Sequence, residues 1–141
     1  MVYSYTEHIS DIGIVASAPT LEAAFEEGVK AALDVMFELP TVNETLGVQI
    51  TAEAPEIDLL FVEVLNEVLS IQGRDELALK RLETGEIRKA GGEYLFKGTA
   101  FGERLDLKRH GVKTEVKGAT YSGLSYAVEK GGHTLRCVLD V

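Results

Sequence analysis

Acidic residues near the two ends of the chain have the chemistry of a cation site. Asp11 lies in the segment Glu7-His8-Ile9-Ser10-Asp11-Ile12-Gly13, and Asp140 stands beside the terminal carboxylate of Val141. Anionic oxygens as close as those of Asp140 and Val141 repel one another unless a cation joins them. If folding brings Asp11 next to Asp140, the pattern predicts an all-oxygen site, which suits calcium or magnesium better than zinc.

Each of these residues also has a structural interpretation. A carboxylate two residues before a glycine, as in Asp11-Ile12-Gly13, is typical of a turn in which the side chain bonds the backbone. Asp140 is equally consistent with a solvated side chain at the end of an exposed strand. His8 is a further candidate ligand or acid–base group. The local pattern leaves these alternatives open.

A third cluster is basic, in an otherwise acidic chain. On a strand, Lys113, Glu115 and Lys117 would share one face. Such a row is usually a solvated sheet face, and the alternative is a contact offered to a phosphate or carboxylate of a partner. Five basic-type side chains lie within ten residues: Lys108, Arg109, His110, Lys113 and Lys117.

No catalytic motif accompanies these clusters. The sequence contains neither a phosphate-binding P-loop, nor a dinucleotide-binding glycine motif, nor a Gly-x-Ser-x-Gly nucleophile elbow. The net charge of −9 disfavours direct binding to nucleic acid, whose phosphates repel an acidic protein. An acidic protein can still act on RNA by docking onto a basic RNA enzyme.

Length and composition predict a single domain over residues 1–141. The one cysteine, Cys137, excludes an internal disulfide and is expected to be a buried small hydrophobic residue, as suits a reducing compartment. The N-terminal segment does not resemble a signal peptide, and no apolar run is long enough to span a membrane. We therefore expect a cytoplasmic protein without a membrane partner.

Two helices are indicated by apolar residues at helical spacing. Thr20 is the predicted N-cap of the first helix, and Pro40 ends that segment. The second helix is predicted to start near Pro55, a residue favoured at the first helical position, and Gly73 is its natural C′ residue.

The remaining segments alternate as strands do. They are residues 3–17 with a turn or bulge within residues 10–13, residues 46–52, a hairpin around Gly91-Gly92, residues 114–121, and a pair that begins near Leu124 and turns at Gly131-Gly132. The predicted fold class is α+β: two amphipathic helices packed on a largely antiparallel β-sheet system, in two layers and one domain.

Five segments, in order and across nearly the whole chain, together resemble the archease family. One small departure is Gly118, where many members have alanine. The segments are Tyr5-Thr6-Glu7-His8-Ile9-Ser10-Asp11-Ile12-Gly13, Thr20-Leu21-Glu22-Ala23-Ala24-Phe25, Leu65-Asn66-Glu67-Val68-Leu69, the run from His110 to Leu124, and Val138-Leu139-Asp140-Val141.

The resemblance implies an activator of the GTP-dependent RNA ligase that joins tRNA exon halves in tRNA splicing. Archeases promote guanylylation of that ligase and its multiple turnover, and are not enzymes themselves. The implied cofactor is a divalent metal ion, usually calcium, with magnesium or manganese as alternatives. RNA would be contacted only indirectly, through the ligase.

By motif position, the implied metal ligands are Asp11, Asp140 and the terminal Val141, and the functionally important lysine is Lys117. Lys117, Asp11 and Asp140 are the residues expected to activate the partner. His8, His110 and Lys113 are secondary candidates. Two rival functions remain: a metal-dependent phosphoesterase, and a general chaperone or protein-interaction module.

Overall fold

The computed structural model describes the backbone of residues 1–8 and 11–141, and the side chains of residues 1–5 and 11–141. The elements are β1 (Val2–His8), β2 (Asp11–Ala18), α1 (Leu21–Met36), a short 3-10 helix (Leu39–Thr41), β3 (Leu46–Ala54), α2 (Ile57–Arg74), β4 (Leu77–Ala90), β5 (Glu93–Arg104), β6 (Gly118–Glu129) and β7 (Gly132–Asp140).

In this described part of the chain, seven strands form two antiparallel sheets. The first has the order β1-β2-β7-β6 and the second the order β3-β5-β4. Helix α1 packs on β2 and β4, and α2 packs on β3 and β6, so each helix contacts both sheets. The predicted α+β class, with two helices on antiparallel sheets, is confirmed.

The two helices meet the second sheet through aromatic rings. The Phe25 ring of α1 lies edge-to-face with Phe61 of α2, with 5.4 Å between ring centroids, and is stacked with Phe96 of β5 at 5.8 Å. All three side chains are buried, and such pairs add to the free energy gained by burial.

Helix α1 starts as predicted, because the Thr20 hydroxyl accepts a hydrogen bond from the Ala23 N–H at 3.1 Å. Neither helix has the length and hydropathy that crossing a membrane requires, within the residues described.

Helix α2 starts near Pro55 as predicted, but it continues past Gly73. Pro55 precedes the N-cap, Glu56, and Gly73 lies inside the last turn, which ends at the C-cap Asp75. The helix continues past Gly73 because a tertiary contact holds its end: the Oε1 atom of the buried Gln72 accepts a hydrogen bond from the Leu79 N–H of β4 at 2.8 Å.

The predicted turn and one predicted strand also differ from the structure. The predicted break inside residues 3–17 exists, because β1 ends at His8 and the antiparallel β2 begins at Asp11, but residues 11–13 belong to β2 and pair with both β1 and β7. Ser10 lies outside the described residues. β6 is a single strand over residues 118–129, and its register with β7 shifts between Thr120 and Ser125, where Gly123 has a φ of +66°.

Residues 105–117 form a connection between β5 and β6 rather than a strand. Their backbone bonds to the end of α1: the Glu38 N–H donates to the His110 carbonyl at 2.9 Å, and the Lys113 N–H donates to the Met36 carbonyl at 2.8 Å. These bonds hold residues 110–113 at the end of α1, and residues 114–117 belong to no strand. The predicted shared strand face of Lys113, Glu115 and Lys117 is therefore wrong.

Gly28 lies where α1 meets the Phe61 ring of α2. It is buried in α1, and a Cβ atom placed there would overlap the Phe61 ring. Gly73 of α2 is the matched case, because a Cβ atom there would meet open space. The first glycine is required by packing, and the second is not.

We predict that Gly28→Ala destabilises the fold by about 1–3 kcal/mol, the usual cost of overpacking a core. The control, Gly73→Ala, is expected to be neutral or stabilising by up to about 1 kcal/mol, because alanine is the better helix former. Urea denaturation of both variants measures the difference. A Gly28→Ala protein as stable as the unsubstituted chain would contradict this account of the helix contact.

Candidate functional site

The structure brings Asp11 and Asp140 together as direct cross-strand neighbours. Asp11 opens β2, and its register partner in β7 is Asp140. Asp140 is also the register partner of Gly118 in β6, and Asp11 is that of His8 in β1. The ends of four strands therefore meet at one end of the first sheet.

The backbone shows which kind of pair the two aspartates form. The Asp140 carbonyl accepts a hydrogen bond from the Lys117 N–H at 2.8 Å. A strand residue points its N–H and C=O to the same side, so Asp140 directs both groups toward β6. Asp11 of β2 and Asp140 therefore form a non-hydrogen-bonded pair. Side chains are closest in such pairs, with Cα atoms about 4.5 Å apart.

The same register brings a second polar pair together further along the strands. Ser17 and Thr134 are register partners, six residues after Asp11 in β2 and six residues before Asp140 in β7. Because six is an even number, they form the same type of pair as the aspartates. Their hydroxyl oxygens lie 3.0 Å apart, as expected for side chains on one face of a close pair. This contact supports the geometry inferred for Asp11 and Asp140.

The aspartates point away from the core. Their strand neighbours Ile12 and Leu139 pack toward the helices, so alternation directs Asp11 and Asp140 to the opposite face. Asp140 is exposed and Asp11 half-buried, while Val141 is half-buried against the core. Like charges directly opposed on a sheet are destabilising unless another charge compensates them.

The backbone of Lys117 adjoins this pair. Lys117 is exposed, immediately precedes β6, and its N–H is the group bonded to Asp140. Among the side chains that the structure describes, none forms an ion pair with Lys117, Asp11 or Asp140. The cluster is thus open to a ligand or a partner.

The donor set fits a hard cation but is small. Residues 1–5 and 11–141 contain no group of three or more His, Cys, Asp or Glu side chains arranged to hold a metal ion. The His8 side chain lies outside the described residues. Two opposed carboxylates are oxygen donors of the kind that calcium, magnesium and manganese prefer, and such ions complete their coordination with carbonyls and water.

The comparison with known proteins agrees with the sequence motifs. The sequence matches the Archease protein family (MTH1598/TM1083) over residues 3–141. The chain belongs to the archease family. It is 31% identical to Protein archease of Methanosarcina mazei over 139 residues, covering 99% of this chain and 95% of that protein. It is 30% identical to Protein archease of Methanopyrus kandleri over 141 residues, covering all of both chains.

Two solved structures share the archease fold seen here. The solution structure of protein 1598 of Methanobacterium thermoautotrophicum has a TM-score of 0.86 at 23% identity, covering 99% of this chain and 98% of that one. The crystal structure of an archease from Thermotoga maritima, called a possible chaperone, has a TM-score of 0.59 at 18% identity, covering 96% and 94%. At these identities the two structures support the fold alone.

His110, a secondary candidate, has a structural role in this archease. Its side chain is fully buried, and its Nδ1 atom accepts a hydrogen bond from the Asp106 N–H at 2.9 Å. In the neutral ring this leaves the proton on Nε2, which lies 2.8 Å from the Glu103 carboxylate. His110 therefore fastens the 105–117 connection to the end of β5.

Glu103 is the acceptor at the centre of this network, which sequence reasoning missed. Besides His110, it accepts hydrogen bonds from the Arg109 guanidinium and from the Asn43 N–H at 2.7 Å. The Arg109 hydrogen bond is the largest cause that lowers the pKa of Glu103 from 4.5 to about 2, followed by the Asn43 and His110 bonds. Spacing in the sequence gives no signal for the contact with Asn43, which lies 60 residues away.

Lys113, another secondary candidate, is directed to α1. Its ammonium lies 3.8 Å from Asp34 and 3.7 Å from Glu38. Exposed ion pairs at such distances contribute little stability. Together with the Lys113 N–H bond to Met36, they hold the connection against the end of α1.

We predict that acid weakens the Glu103 network. Because the pKa of Glu103 is about 2 in the folded protein and 4.5 ordinarily, its ionised form contributes stability that is complete above about pH 4.5. That contribution is lost as the pH falls through about 2. The difference in Tm between the unsubstituted chain and Glu103→Gln should therefore shrink between pH 4.5 and 2. Thermal denaturation at a series of pH values tests this, and a constant difference would refute it.

Proposed function

We propose that this archease is a metal-binding protein cofactor that activates the GTP-dependent RNA ligase of tRNA splicing. It would promote guanylylation of the ligase and its multiple turnover, without being an enzyme itself. The observation that carries the proposal is the opposed pair of Asp11 and Asp140 on an exposed face, where the backbone N–H of Lys117 bonds the Asp140 carbonyl. The role is the one that the resemblance to archeases implies, and the chain belongs to that family.

The two aspartates are the residues that would hold a divalent cation, calcium in the first place and magnesium or manganese as alternatives. Val141, the next residue after Asp140, is the third proposed donor. The ion would supply a positive charge that offsets the repulsion between the opposed carboxylates. The exposure of Asp140 leaves room for a partner to contact the same cluster.

Activation is proposed to work by selective binding of one ligase conformation. Lys117 is exposed and offers an ammonium group for a phosphate or carboxylate in the ligase's nucleotide pocket. A contact made only in the conformation that reacts with GTP would raise the population of that conformation. The cofactor then needs no catalytic group of its own.

The charge and the cysteine of the chain support the proposed setting. A net charge of −9 opposes direct contact with RNA phosphates, so RNA would be reached through a basic surface of the ligase. Cys137 is buried, and burial raises the pKa of its thiol to about 11, which keeps it unreactive. We place the protein in the cytoplasm, where a free thiol persists.

The rival functions make different demands on the same residues. A metal-dependent phosphoesterase would hydrolyse phosphodiesters without the ligase and lose that activity with a chelator. A general chaperone, the possible role named for the Thermotoga maritima archease, would suppress aggregation of unrelated proteins without needing Lys117. Either result would replace the present proposal.

Asp140→Asn should be more stable than the unsubstituted chain without calcium and less stable than it with calcium. Without the ion, Asp140→Asn should stabilise the protein by about 0.2–1 kcal/mol, because it removes a like charge from a directly opposed pair. Calcium at about 100 times its Kd should stabilise the unsubstituted chain by about 2.7 kcal/mol and leave the variant unchanged. Thermal denaturation with and without calcium measures both effects.

The matched control is Glu129→Gln, which removes an exposed carboxylate at the other end of β6. It should respond to calcium as the unsubstituted chain does. Equal calcium stabilisation of the Asp140→Asn protein would exclude Asp140 as a ligand.

Ligase activation should depend on the three clustered residues. We expect Asp11→Ala, Asp140→Ala and Lys117→Ala each to reduce stimulation of guanylylation at least about tenfold, which corresponds to about 1.4 kcal/mol. The assay follows transfer of labelled GMP to the ligase, with circular dichroism to verify folding. Lys97→Ala, an exposed lysine on the second sheet, is the control that should retain full stimulation. Full activation by all three variants would overturn the proposed function.

A further inference from the structure

The side chain of Asn66 forms two hydrogen bonds to a single residue of the neighbouring strand. Its Oδ1 atom accepts from the Ala119 N–H at 2.8 Å, and its Nδ2 atom donates to the Ala119 carbonyl at 3.3 Å. Asn66 lies in α2, and Ala119 is the second residue of β6. One amide group thus satisfies both backbone groups of Ala119, as a peptide of an adjacent strand would.

This contact takes the place of a missing strand. β6 is an edge strand of the first sheet, and its other side pairs with β7. Since Ala119 gives both its N–H and its C=O to Asn66, both groups point away from β7 toward the free edge. Ala119 is 9% exposed, so losing the amide would leave poorly solvated backbone groups without partners.

The beginning of β6 has little other support from its own sheet. Residues 118–120 pair with 138–140, but the register shifts directly after Thr120 and resumes only at Ser125. The residues before Gly118 belong to the irregular connection 105–117. Asn66 therefore fixes a short ladder of three pairs that includes Asp140 and directly follows Lys117.

We propose that Asn66 is a positioning residue: by holding Ala119 it keeps Lys117 and Asp140 in the arrangement that the ligase recognises. Recognition by the ligase rests on the proposed function, whereas the hold of Asn66 on residues 117–119 does not. The contact spans α2 and β6, so the helix face sets the place of the first strand pairs. Asn66 is a polar residue among the buried Val64, Leu65 and Val68 of α2.

A second contact between the same elements provides a control. The Tyr121 hydroxyl of β6 donates a hydrogen bond to the Glu63 carboxylate of α2 at 3.0 Å, and both groups are accessible to water. Tyr121→Phe removes that bond but leaves the backbone of β6 untouched. It should change neither the amide hydrogen exchange of residues 117–119 nor ligase activation.

Hydrogen exchange measured by NMR tests the hold directly. In Asn66→Leu, we expect the amides of Lys117 and Ala119 to exchange at least tenfold faster, while that of Cys137 in β7 stays protected. Asn66→Asp keeps the acceptor for the Ala119 N–H and loses the donor to its carbonyl, so its exchange should be intermediate. If Asn66→Leu does not fold, the comparison of Asn66→Asp with Tyr121→Phe decides the question.

Guanylylation assays on folded variants test the consequence. At saturating concentration, Asn66→Leu should stimulate the ligase at least tenfold less than the unsubstituted chain, with Asn66→Asp in between. Unchanged exchange in both Asn66 variants would overturn the proposal, and so would faster exchange with full stimulation. If the unsubstituted chain gives no stimulation, the proposed function fails, and the exchange data still decide whether Asn66 holds residues 117–119.

Discussion

The antiparallel register between β2 and β7 is the constraint on which the rest of the site depends. It sets two carboxylates directly opposite each other in a close pair, on the face of the sheet that the helices do not cover. Opposed like charges lower the stability of the fold, and replacing either aspartate by a neutral residue would remove that repulsion. Their presence together is explained when a cation or a cationic partner group compensates them, which is the basis of the proposed function.

The topology explains how distant parts of the chain come to share this site. β7 is the last strand, and it lies between β2 and β6, so the chain's first and last segments become neighbours. Burial of Ile14, Leu135 and Leu139 against the helices fixes the register, because a slip of one residue would turn these side chains outward. The hydrophobic core therefore positions the polar face, and the connection 105–117 ends with the backbone N–H of Lys117 bonded to Asp140.

Much of this fold follows from local sequence rules, and some of it does not. The Thr20 cap, the hairpin at Gly91-Gly92 and the two amphipathic helices are local features, and the structure has them. The end of α2 and the path of residues 114–117 depend on partners far away in sequence, namely Leu79 for Gln72 and Met36 for Lys113. Local pattern cannot show such partners, so both predictions failed.

The site was predictable to a similar extent. The types and positions of Asp11, Asp140 and Val141 allowed an all-oxygen ion site, with a turn or a solvated strand end as alternatives. The family resemblance added Lys117 and assigned the roles, which remain a proposal. The hydrogen bonds of Asn66 to Ala119 and of His110 to Glu103 were not foreseen, because each joins elements that only the tertiary structure brings into contact.

The most direct measurement of the central claim is paramagnetic broadening of amide NMR signals by manganese added well below one equivalent. The account predicts that broadening begins at residues 11–12 and 139–141 and extends to Lys117 and Gly118, whose backbone adjoins Asp140. Calcium in excess should reverse it. Broadening that begins elsewhere, or that spreads evenly over the acidic surface, would contradict the assignment of the opposed aspartates as the ion site.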